Sequence, residues 1–300
     1  MRYGVGLNTA KPIPEIIGQA KRYAAGGFST LSSSHIFGYD AITLLTVVGQ
    51  EVADVELMTA VVPIYTRHPL AMAQQALTAQ AATGDRLALG IGLSHQVVVE
   101  GVYGQSYSQP LRAMREYLSA LMPLVRREQA NFKGETVAVS AGPIEIEAAA
   151  PPVIVAALGE AMLDLAGSEA DGTATWMTGV ETLRAHTVPL ITAAAERAGR
   201  PAPRVVAALP VCVTDDAAAA RERANQMFSI YGQLPSYRAM LDREGAEGPG
   251  DVALVGSEAE VTDRLVRMGE SGVTDFTAAP FGAREEIERT VEMFEGLAAR

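Results

Sequence analysis

Short apolar segments recur along the chain and alternate with longer segments of helical periodicity. The short segments are β-branched or uniformly apolar and are bounded by Gly, Pro or Asp, which is typical of strands buried on both faces of a parallel sheet. They span residues 3–8, 28–32, 55–62, 86–92, 152–158, 171–176, 204–213 and 273–279. The pattern therefore predicts eight parallel strands.

Apolar residues at helical spacing fill the intervals between these strands. The predicted helices cover residues 13–26, 41–54, 69–84, 110–128, 160–170, 180–199, 258–272 and 283–300. Pro69 suits a first helical position, and Gly84 and Gly199 lie where C-terminal glycines are common. Alternating strands and helices predict one α/β domain over residues 1–300, a (β/α)8 TIM barrel; an open, doubly wound sheet is the alternative.

Two connections are longer than the others. Residues 93–151 contain one helix and a polar stretch whose alternation predicts a small hairpin. Residues 214–272 contain an extra helical piece, 225–241, and a Gly-rich loop, 243–251. Insertions that follow barrel strands build the mouth of an active site. We therefore expect these insertions, after the fourth and seventh strands, to face the substrate.

Composition and charge narrow the classes of partner. With 24 basic and 35 acidic residues the net charge is −11, so binding to nucleic acid is not expected. The single cysteine, Cys212, excludes a disulfide framework and is expected to be buried in the seventh strand. No apolar run approaches the ~20 residues of a spanning helix, and no signal-peptide core is found. We expect a cytoplasmic protein with a small-molecule substrate and no membrane partner.

Several common cofactor and nucleophile motifs are missing from the sequence. The pairs Gly4/Gly6 and Gly90/Gly92 lie at strand ends, but neither has the third glycine of a GxGxxG dinucleotide site. There is no GxxxxGKS/T phosphate loop and no GxSxG nucleophile elbow. The four histidines form no HxxxH pair, so no metal site is predicted.

Three of the histidines follow consecutive predicted strands. His35, His68 and His95 come just after strands two, three and four. These positions lie on the C-terminal face of a barrel, where catalytic residues are found. One such histidine alone is as often a cap or a surface residue. Three in series indicate that at least one of them takes part in the chemistry.

A long central segment resembles a known family. Residues 59–104, TAVVPIYTRHPLAMAQQALTAQAATGDRLALGIGLSHQVVVEGVYG, resemble the luciferase-like monooxygenase superfamily, and within it the branch that uses the deazaflavin coenzyme F420. Further likeness lies in MREYL (114–118), in residues 151–179 and in GVTDFTAAPFG (272–282). The resemblance covers nearly the whole chain, and it implies the same barrel fold.

The resemblance implies positions for the ring and for the proton. In this family a non-proline cis peptide supports one face of the isoalloxazine-like ring, and the matching bond joins Ala60 and Val61. Ser34 stands where an Asp often precedes His35. His95 lies where some members place a catalytic glutamate, so it is our first candidate for the proton donor, with His35 second.

The resemblance also implies a phosphate site at the loops after the fifth and sixth strands, where helix N-termini present backbone N–H groups. Thr178 is the expected hydroxyl donor, and Gly159 and Gly179 allow close approach. Arg67 either offers a charge to the acidic tail of the coenzyme or caps the third helix. The residues that open the two helices are Leu158, Gly159, Trp176, Met177, Thr178 and Gly179.

The mouth loops carry aromatic residues that are predicted to line a mostly apolar substrate pocket. These residues are Phe37, Tyr39, Tyr103 and Trp176. The leading hypothesis is an F420-dependent oxidoreductase that transfers a hydride between the deazaflavin C5 and a small organic substrate. The alternatives are an FMN-dependent monooxygenase fed reduced flavin by a partner reductase, and a barrel that only binds the coenzyme.

Two predicted helices bear on quaternary structure. The helices over residues 41–54 and 69–84 are apolar on more than one face, whereas a lone barrel helix needs only one apolar stripe. The related enzymes often dimerise through this region. We therefore expect a homodimer.

Overall fold

The strands form a closed barrel. The computed structural model describes residues 1–298, and its strands lie close to the predicted ones. They are β1 (Arg2–Gly6), β2 (Thr30–Ser33), β3 (Glu56–Thr59), β4 (Val62–Pro63), β5 (Leu87–Gly92), β6 (Ala130–Lys133), β7 (Ala138–Ala141), β8 (Val153–Ala156), β9 (Gly172–Trp176), β10 (Arg204–Val213), β11 (Leu254–Gly256) and β12 (Asp275–Pro280).

Eight parallel strands make the barrel wall in the order β1, β2, β3, β5, β8, β9, β10, β12, and β12 pairs again with β1. Closure depends on the pairing of β9 with β10, in which Val206 lies opposite Ala174. An open sheet would leave these two strands as free edges. The barrel prediction is therefore confirmed, and the doubly wound alternative is wrong.

Helices surround the barrel in the predicted alternation. They are α1 (Ile13–Ala25), α2 (Ala41–Glu51), α3 (Pro69–Thr83), α4 (Gln96–Gly101), α5 (Pro110–Val125), α6 (Glu160–Glu169), α7 (Val180–Thr182), α8 (Val188–Arg197), α9 (Ala217–Met227), α10 (Pro235–Glu244), α11 (Pro249–Val252), α12 (Glu258–Glu270) and α13 (Arg284–Ala298). The last predicted helix, 283–300, ends in two residues that lie outside the described part of the chain.

The two insertions follow the fourth and seventh barrel strands, as predicted. The first contains the expected hairpin, in which β6 and β7 pair antiparallel. The second differs from its prediction, because the helical piece expected over 225–241 is divided. α9 ends before Phe228, a 3₁₀ turn covers Ser229–Gly232, and α10 begins at Pro235, whose ring favours a helix start. Within residues 1–298 no helix is long and apolar enough to cross a membrane.

Apolar side chains are buried in separate layers. The larger core lies between the outer faces of the strands and the surrounding helices. A second, smaller cluster lies inside the barrel and consists of Met58, Ala88, Ile154 and Val206. Cys212 belongs to a third cluster and is a buried free thiol, as expected.

A network of charges closes the N-terminal end of the barrel interior. Arg2, Glu56, Arg204 and Asp275 all lie at or next to the first residue of a barrel strand. Arg204 donates to both oxygens of Glu56, at 3.0 and 2.8 Å, and to Asp275 at 2.9 Å. Arg2 donates through Nε to Asp275 at 2.7 Å. Two cations thus share two carboxylates at the base of the barrel.

Asp275 is the most buried member of this network, and its side chain is only 6% exposed. Burial alone would raise the pKa of Asp275, but hydrogen bonds from Thr274 and Arg204 and the charges of Arg204 and Arg2 outweigh it. They hold the pKa below its ordinary value. The ionised form of Asp275 therefore stabilises the folded protein relative to the unfolded chain.

We expect Asp275→Asn to lower the free energy of unfolding by about 3 kcal/mol at neutral pH, because Arg204, which is 21% exposed, and the more exposed Arg2 lose a shared buried anion. The folded-state pKa of Asp275 lies below the unfolded value of about 3.9. The contribution is therefore complete above that value and is lost as pH falls through the folded pKa. Urea unfolding at neutral and acid pH should show a difference between wild type and variant that shrinks in acid.

The matched control is Asp263→Asn, which removes an exposed carboxylate from an i,i+4 pair with Arg267 on α12. This change should alter stability by less than about 0.5 kcal/mol. Equal effects of the two substitutions would contradict a structural role for the barrel network.

Candidate functional site

The upper half of the barrel interior is open. Side chains that face inward alternate along each strand. Those nearer the N-terminal end, in the inner cluster with Met58, are at most 3% exposed. Nearer the C-terminal end the inward positions are small and partly accessible; they include Gly6, Ala156, Ala208 and Ala279. This space, walled by glycine and alanine, is called the cup below.

One wall of the cup is formed where the third barrel strand breaks. β3 ends at Thr59, and the peptide bond between Ala60 and Val61 is cis, as the resemblance implies. On β5, a Cβ atom at Gly90 would overlap the Thr59 carbonyl oxygen, and one at Gly92 would lie 2.7 Å from Val61 Cγ2. The glycines of β5 therefore make the room that Val61 occupies.

His35 lies at the rim of the cup after β2. Its Nδ1 accepts a hydrogen bond from the backbone N–H of Ala41 at 3.2 Å, which assigns the ring proton of the neutral form to Nε2. Asp40 Oδ2 lies 3.6 Å from the same nitrogen and also pairs with Arg67. Burial, helped by the charge of Arg67, lowers the pKa of His35 against the opposing effect of Asp40.

Asp40 was not predicted as a site residue. Ser34, which stands where related enzymes often have Asp, is exposed. The carboxylate beside His35 comes instead from Asp40, which also accepts a hydrogen bond from Thr43 N at the start of α2. An Asp directly before a helical segment is a capping signal. Capping accounts for an Asp at this position, and nothing in the local sequence indicates that Asp40 also faces His35.

His95 lies at the rim after β5, directly before α4. Burial lowers the pKa of its imidazole. A histidine with a lowered pKa is neutral at pH 7, so it accepts a proton more readily than it donates one. The neighbouring Glu100 is turned away to accept hydrogen bonds from Gln96 Nε2 at 3.0 Å and from Tyr107 N at 3.4 Å. The role of His95 stays a prediction, and its environment favours a base.

The loop after β8 leaves a helix N-terminus open. Gly159 precedes α6, no side chain caps this helix start, and a Cβ atom at Gly159 would meet nothing within 4 Å. The preceding carbonyl, of Leu158, is 2.8 Å from Nε2 of His186, a buried histidine in the π-helical turn that follows α7. The first N–H groups of α6 are therefore free to bind an anion.

The loop after β9 is arranged differently. Glu244, at the end of α10, accepts hydrogen bonds from Glu181 N at 3.2 Å and from Thr182 N and Oγ1 at 2.8 and 2.7 Å. A Cβ atom at Gly179 would overlap this carboxylate. Thr178 is buried, and its Oγ1 donates to the Trp176 carbonyl at 3.3 Å. Of the two predicted phosphate loops, the one at Gly159 is open and the one at Gly179 already holds an internal anion.

Aromatic rings from the second insertion form a wall over the mouth. Phe228, Tyr231 and Tyr237 pack in series with Trp176, at ring-centre distances of 5.8 Å for Phe228–Trp176, 5.9 Å for Trp176–Tyr231 and 5.0 Å for Tyr231–Tyr237. This group is called the aromatic wall below. The sequence predicted only Trp176 of it, because the other rings reach the mouth through tertiary contacts. Met177, predicted at the mouth, has its side chain fully buried.

The other predicted pocket residues lie at the outer edge of the mouth. Phe37 is 68% exposed and Tyr39 is 37% exposed in the loop after β2. Tyr103 is half-buried in the loop after α4. The rings of Tyr65 and Tyr107 pack against each other, with their centres 5.9 Å apart. The exposed rings thus edge the cup and do not form its wall.

His68 and Arg67 have structural partners. His68 Nδ1 accepts from Leu70 N and so caps α3, and its Nε2 lies 2.9 Å from the carbonyl of Ala138 in the hairpin. Arg67 pairs with Asp40 and donates to Gln75 Oε1 at 2.7 Å. The cap of α3 is therefore His68, and the charge of Arg67 is used inside the protein.

Comparisons with known proteins agree on one family. The family model described as luciferase-like monooxygenase matches residues 1–275. The 5,10-methylenetetrahydromethanopterin reductase of Methanolobus tindarius is 26% identical over 271 residues, which are 90% of this chain and 82% of that protein.

Two solved structures share the fold. The coenzyme F420-dependent tetrahydromethanopterin reductase of Methanopyrus kandleri superposes with a TM-score of 0.83 at 19% identity and covers 98% of this chain and 97% of its own. The oxygenating constituent of 3,6-diketocamphane monooxygenase from Pseudomonas putida, in complex with FMN, has a TM-score of 0.76 at 15% identity, covering 98% and 96%.

We expect Glu244→Ala to lower the free energy of unfolding by about 2 kcal/mol, since three hydrogen bonds to a carboxylate are lost. The same change should speed amide hydrogen exchange in residues 228–244, because their anchor to α7 is removed. Glu247→Ala is the control, since the side chain of Glu247 is exposed and lies three residues further along. Unchanged exchange in Glu244→Ala would contradict the anchoring role.

Proposed function

Because the chain belongs to the luciferase-like monooxygenase family, we propose that it is an F420-dependent oxidoreductase. It transfers a hydride between the deazaflavin C5 and a small organic substrate with an activated C=C bond, an imine or an alcohol. The observation that carries this proposal is the cup, whose small inward-facing residues are partly accessible at the strand ends that precede His35, His95 and the uncapped start of α6.

The relatives support the deazaflavin in preference to FMN. The similar solved structure from Methanopyrus kandleri is named as dependent on coenzyme F420. The relative from Methanolobus tindarius, which aligns over 90% of this chain, is named as a methylenetetrahydromethanopterin reductase. FMN-dependent monooxygenation with a partner reductase is the second candidate, supported by the shared fold of the FMN-bound monooxygenase. Both coenzymes present a tricyclic ring and a phosphate, so the cup alone does not separate them.

The residues present fit such a group. Val61, backed by Gly90 and Gly92, would support one face of the ring, with Ala156 beside it. The backbone N–H groups at Gly159 and the start of α6 would bind the phosphate, since no side chain caps them. When bound, the coenzyme supplies a hydride acceptor or donor at C5. The aromatic wall with Trp176 would cover the substrate and limit the entry of water.

The two histidines have different roles: His95 transfers a proton, and His35 donates a hydrogen bond. His95, neutral at pH 7, takes the hydroxyl proton when an alcohol is oxidised, and its protonated form returns that proton in the reverse direction. His35 keeps Nδ1 bound to Ala41 N, so its Nε2–H is a fixed donor that orients substrate or ring. A donor held by its own backbone contact needs no change of protonation during turnover.

We expect wild-type protein to bind F420 with a micromolar dissociation constant, measured by fluorescence titration, and to bind FMN much more weakly. Gly159→Ala should weaken F420 binding about tenfold, because the added methyl group lies where the phosphate approaches. Stability of the free protein should change by less than about 0.5 kcal/mol, since the site is sterically open and φ of Gly159 is −80°.

Gly142→Ala is the matched control, because Gly142 is equally open but directly follows the β6–β7 hairpin. It should leave F420 binding unchanged. Micromolar binding of FMN without binding of F420 would overturn the coenzyme assignment and favour the monooxygenase. Tight F420 binding without turnover of enones, imines, quinones or secondary alcohols would favour a barrel that only binds the coenzyme.

We expect His95→Gln to lower kcat by about 10²–10⁴-fold while F420 affinity stays within a few-fold, because the proton acceptor is lost and the phosphate loop is untouched. The wild-type rate of alcohol oxidation should rise with pH through a pKa below the ordinary 6.5 and then level off, since only neutral His95 accepts a proton. His68→Gln, which changes a helix cap, should keep the wild-type kcat and pH profile.

The homodimer is part of the proposal. Apart from Glu51 at the end of α2, which pairs with Lys21, the exposed positions of α2 and α3 carry no charge. They are Thr43, Val47, Gln50, Ala71, Gln74, Thr78 and Ala81. We expect light scattering to give twice the 31.6 kDa of one chain. Val47→Arg should shift the mass towards the monomer, whereas Val266→Arg, at an exposed valine on α12, should not. A monomer in wild type at micromolar concentration would contradict this prediction.

A further inference from the structure

His95 is held differently from the other histidines. The ring nitrogens of His35, His68 and His186 each contact a backbone group, namely Ala41 N, Leu70 N and the Leu158 carbonyl. In the part of the chain that the structure describes, the His95 ring makes no hydrogen bond to protein, and it does not cap its own helix. Both of its nitrogens are therefore available to a substrate, but no polar contact fixes its orientation.

Ring packing supplies the missing restraint. The centre of the Tyr237 ring lies 5.7 Å from the centre of the His95 ring, and the two planes are inclined at 57°. Tyr237 is in turn packed edge-on against Tyr231, at 5.0 Å and 85°. Tyr231 contacts Trp176 at the end of β9. A series of rings thus connects His95, after the fourth barrel strand, to the end of the sixth.

The element that carries Tyr237 is anchored at its far end. Tyr237 lies in the first turn of α10, and Glu244 at the last turn is bonded to the start of α7. At the near end Phe228 packs edge-on against Phe281, just after β12, at 5.8 Å. The insertion is therefore tied to the barrel on both sides of Tyr237, and this makes the Tyr237 ring a fixed surface for His95.

We propose that Tyr237 is the positioning residue of His95, fixing the plane of the imidazole and excluding water from one of its faces. The inference rests on the proposed function, in which His95 carries the proton. A general base must be held within a fraction of an ångström of its working position, and a second group usually holds it. A ring contact does so without occupying either nitrogen.

The titratable groups beside His95 are few among residues 1–298. Tyr237 packs on it from α10, and its pKa is raised by burial, so it stays neutral at pH 7. Glu100 lies on α4 itself, with its carboxylate bonded to Gln96 and Tyr107 N. Burial is therefore the main influence on the pKa of His95, and removal of the Tyr237 ring changes that burial directly.

The test is an NMR titration of the histidine ring protons in the free protein, with the His95 signal assigned by its loss in His95→Gln. In Tyr237→Ala the pKa of His95 should rise towards 6.5, because water reaches the exposed face. Tyr237→Phe should keep the wild-type value, since it keeps the ring. His35 in the same spectra is an internal control whose titration should not move. Tyr237→Leu replaces the alanine variant if that one does not fold.

Kinetics supply the second readout. With F420 and a substrate found by screening, Tyr237→Ala should lower kcat about 10- to 100-fold with KM within a few-fold, and Tyr237→Phe should restore most of it. An unchanged His95 titration in Tyr237→Ala, or in Tyr237→Leu where the alanine variant does not fold, overturns the positioning role, whatever the coenzyme. A shifted titration in a protein that never turns over F420 supports the positioning contact and overturns the proposed function instead.

Discussion

A closed barrel of eight strands encloses a single column of space, and the filling of its lower half governs what the upper half can hold. At the base, Arg2 and Arg204 share the carboxylates of Glu56 and Asp275. Above them Met58 and its neighbours fill the column with apolar atoms. Because these two layers keep the strands apart and exclude water, the C-terminal half is free to be walled by glycine and alanine. The cup can stay open because the charged and apolar layers below it already hold the strands apart.

Two loops at the mouth of the cup differ in whether the backbone N–H groups of the following helix are already hydrogen-bonded. At Gly159 a helix start is left without a cap, whereas at Gly179 the equivalent groups already bind Glu244. In the proposed function the phosphate of the coenzyme would therefore bind at the Gly159 loop. His35 and His95 follow the second and fourth barrel strands, and burial lowers the pKa of each. The aromatic insertion contacts His95 through Tyr237 and would cover the substrate beside it.

The sequence was most informative where local pattern and burial coincide. Barrel strands are buried on both faces, so their apolar runs mark them to within a few residues, and His35 and His95 follow from strand ends alone. The contacts of Tyr237 and Glu244 with the site join residues far apart in the chain, and the contact of Asp40 with His35 depends on how the loop between them folds. None of these contacts follows from periodicity. The division of residues 225–241 also went unpredicted, because a short 3₁₀ turn keeps the apolar spacing of a helix. Family resemblance placed the cis bond before Val61, which no local pattern indicates.

The proposed function requires that the upper interior of the barrel binds the coenzyme and that the lower interior is a packed core. One pair of substitutions tests it: Ala156→Leu in the cup and Ala88→Leu below it, each compared with wild type for F420 affinity and for the free energy of unfolding. Ala156→Leu should abolish F420 binding and keep wild-type stability, because leucine fills accessible space. Ala88→Leu should lower the free energy of unfolding by about 2 kcal/mol, because that position is fully buried. Wild-type F420 affinity in Ala156→Leu would show that the coenzyme does not bind in the cup.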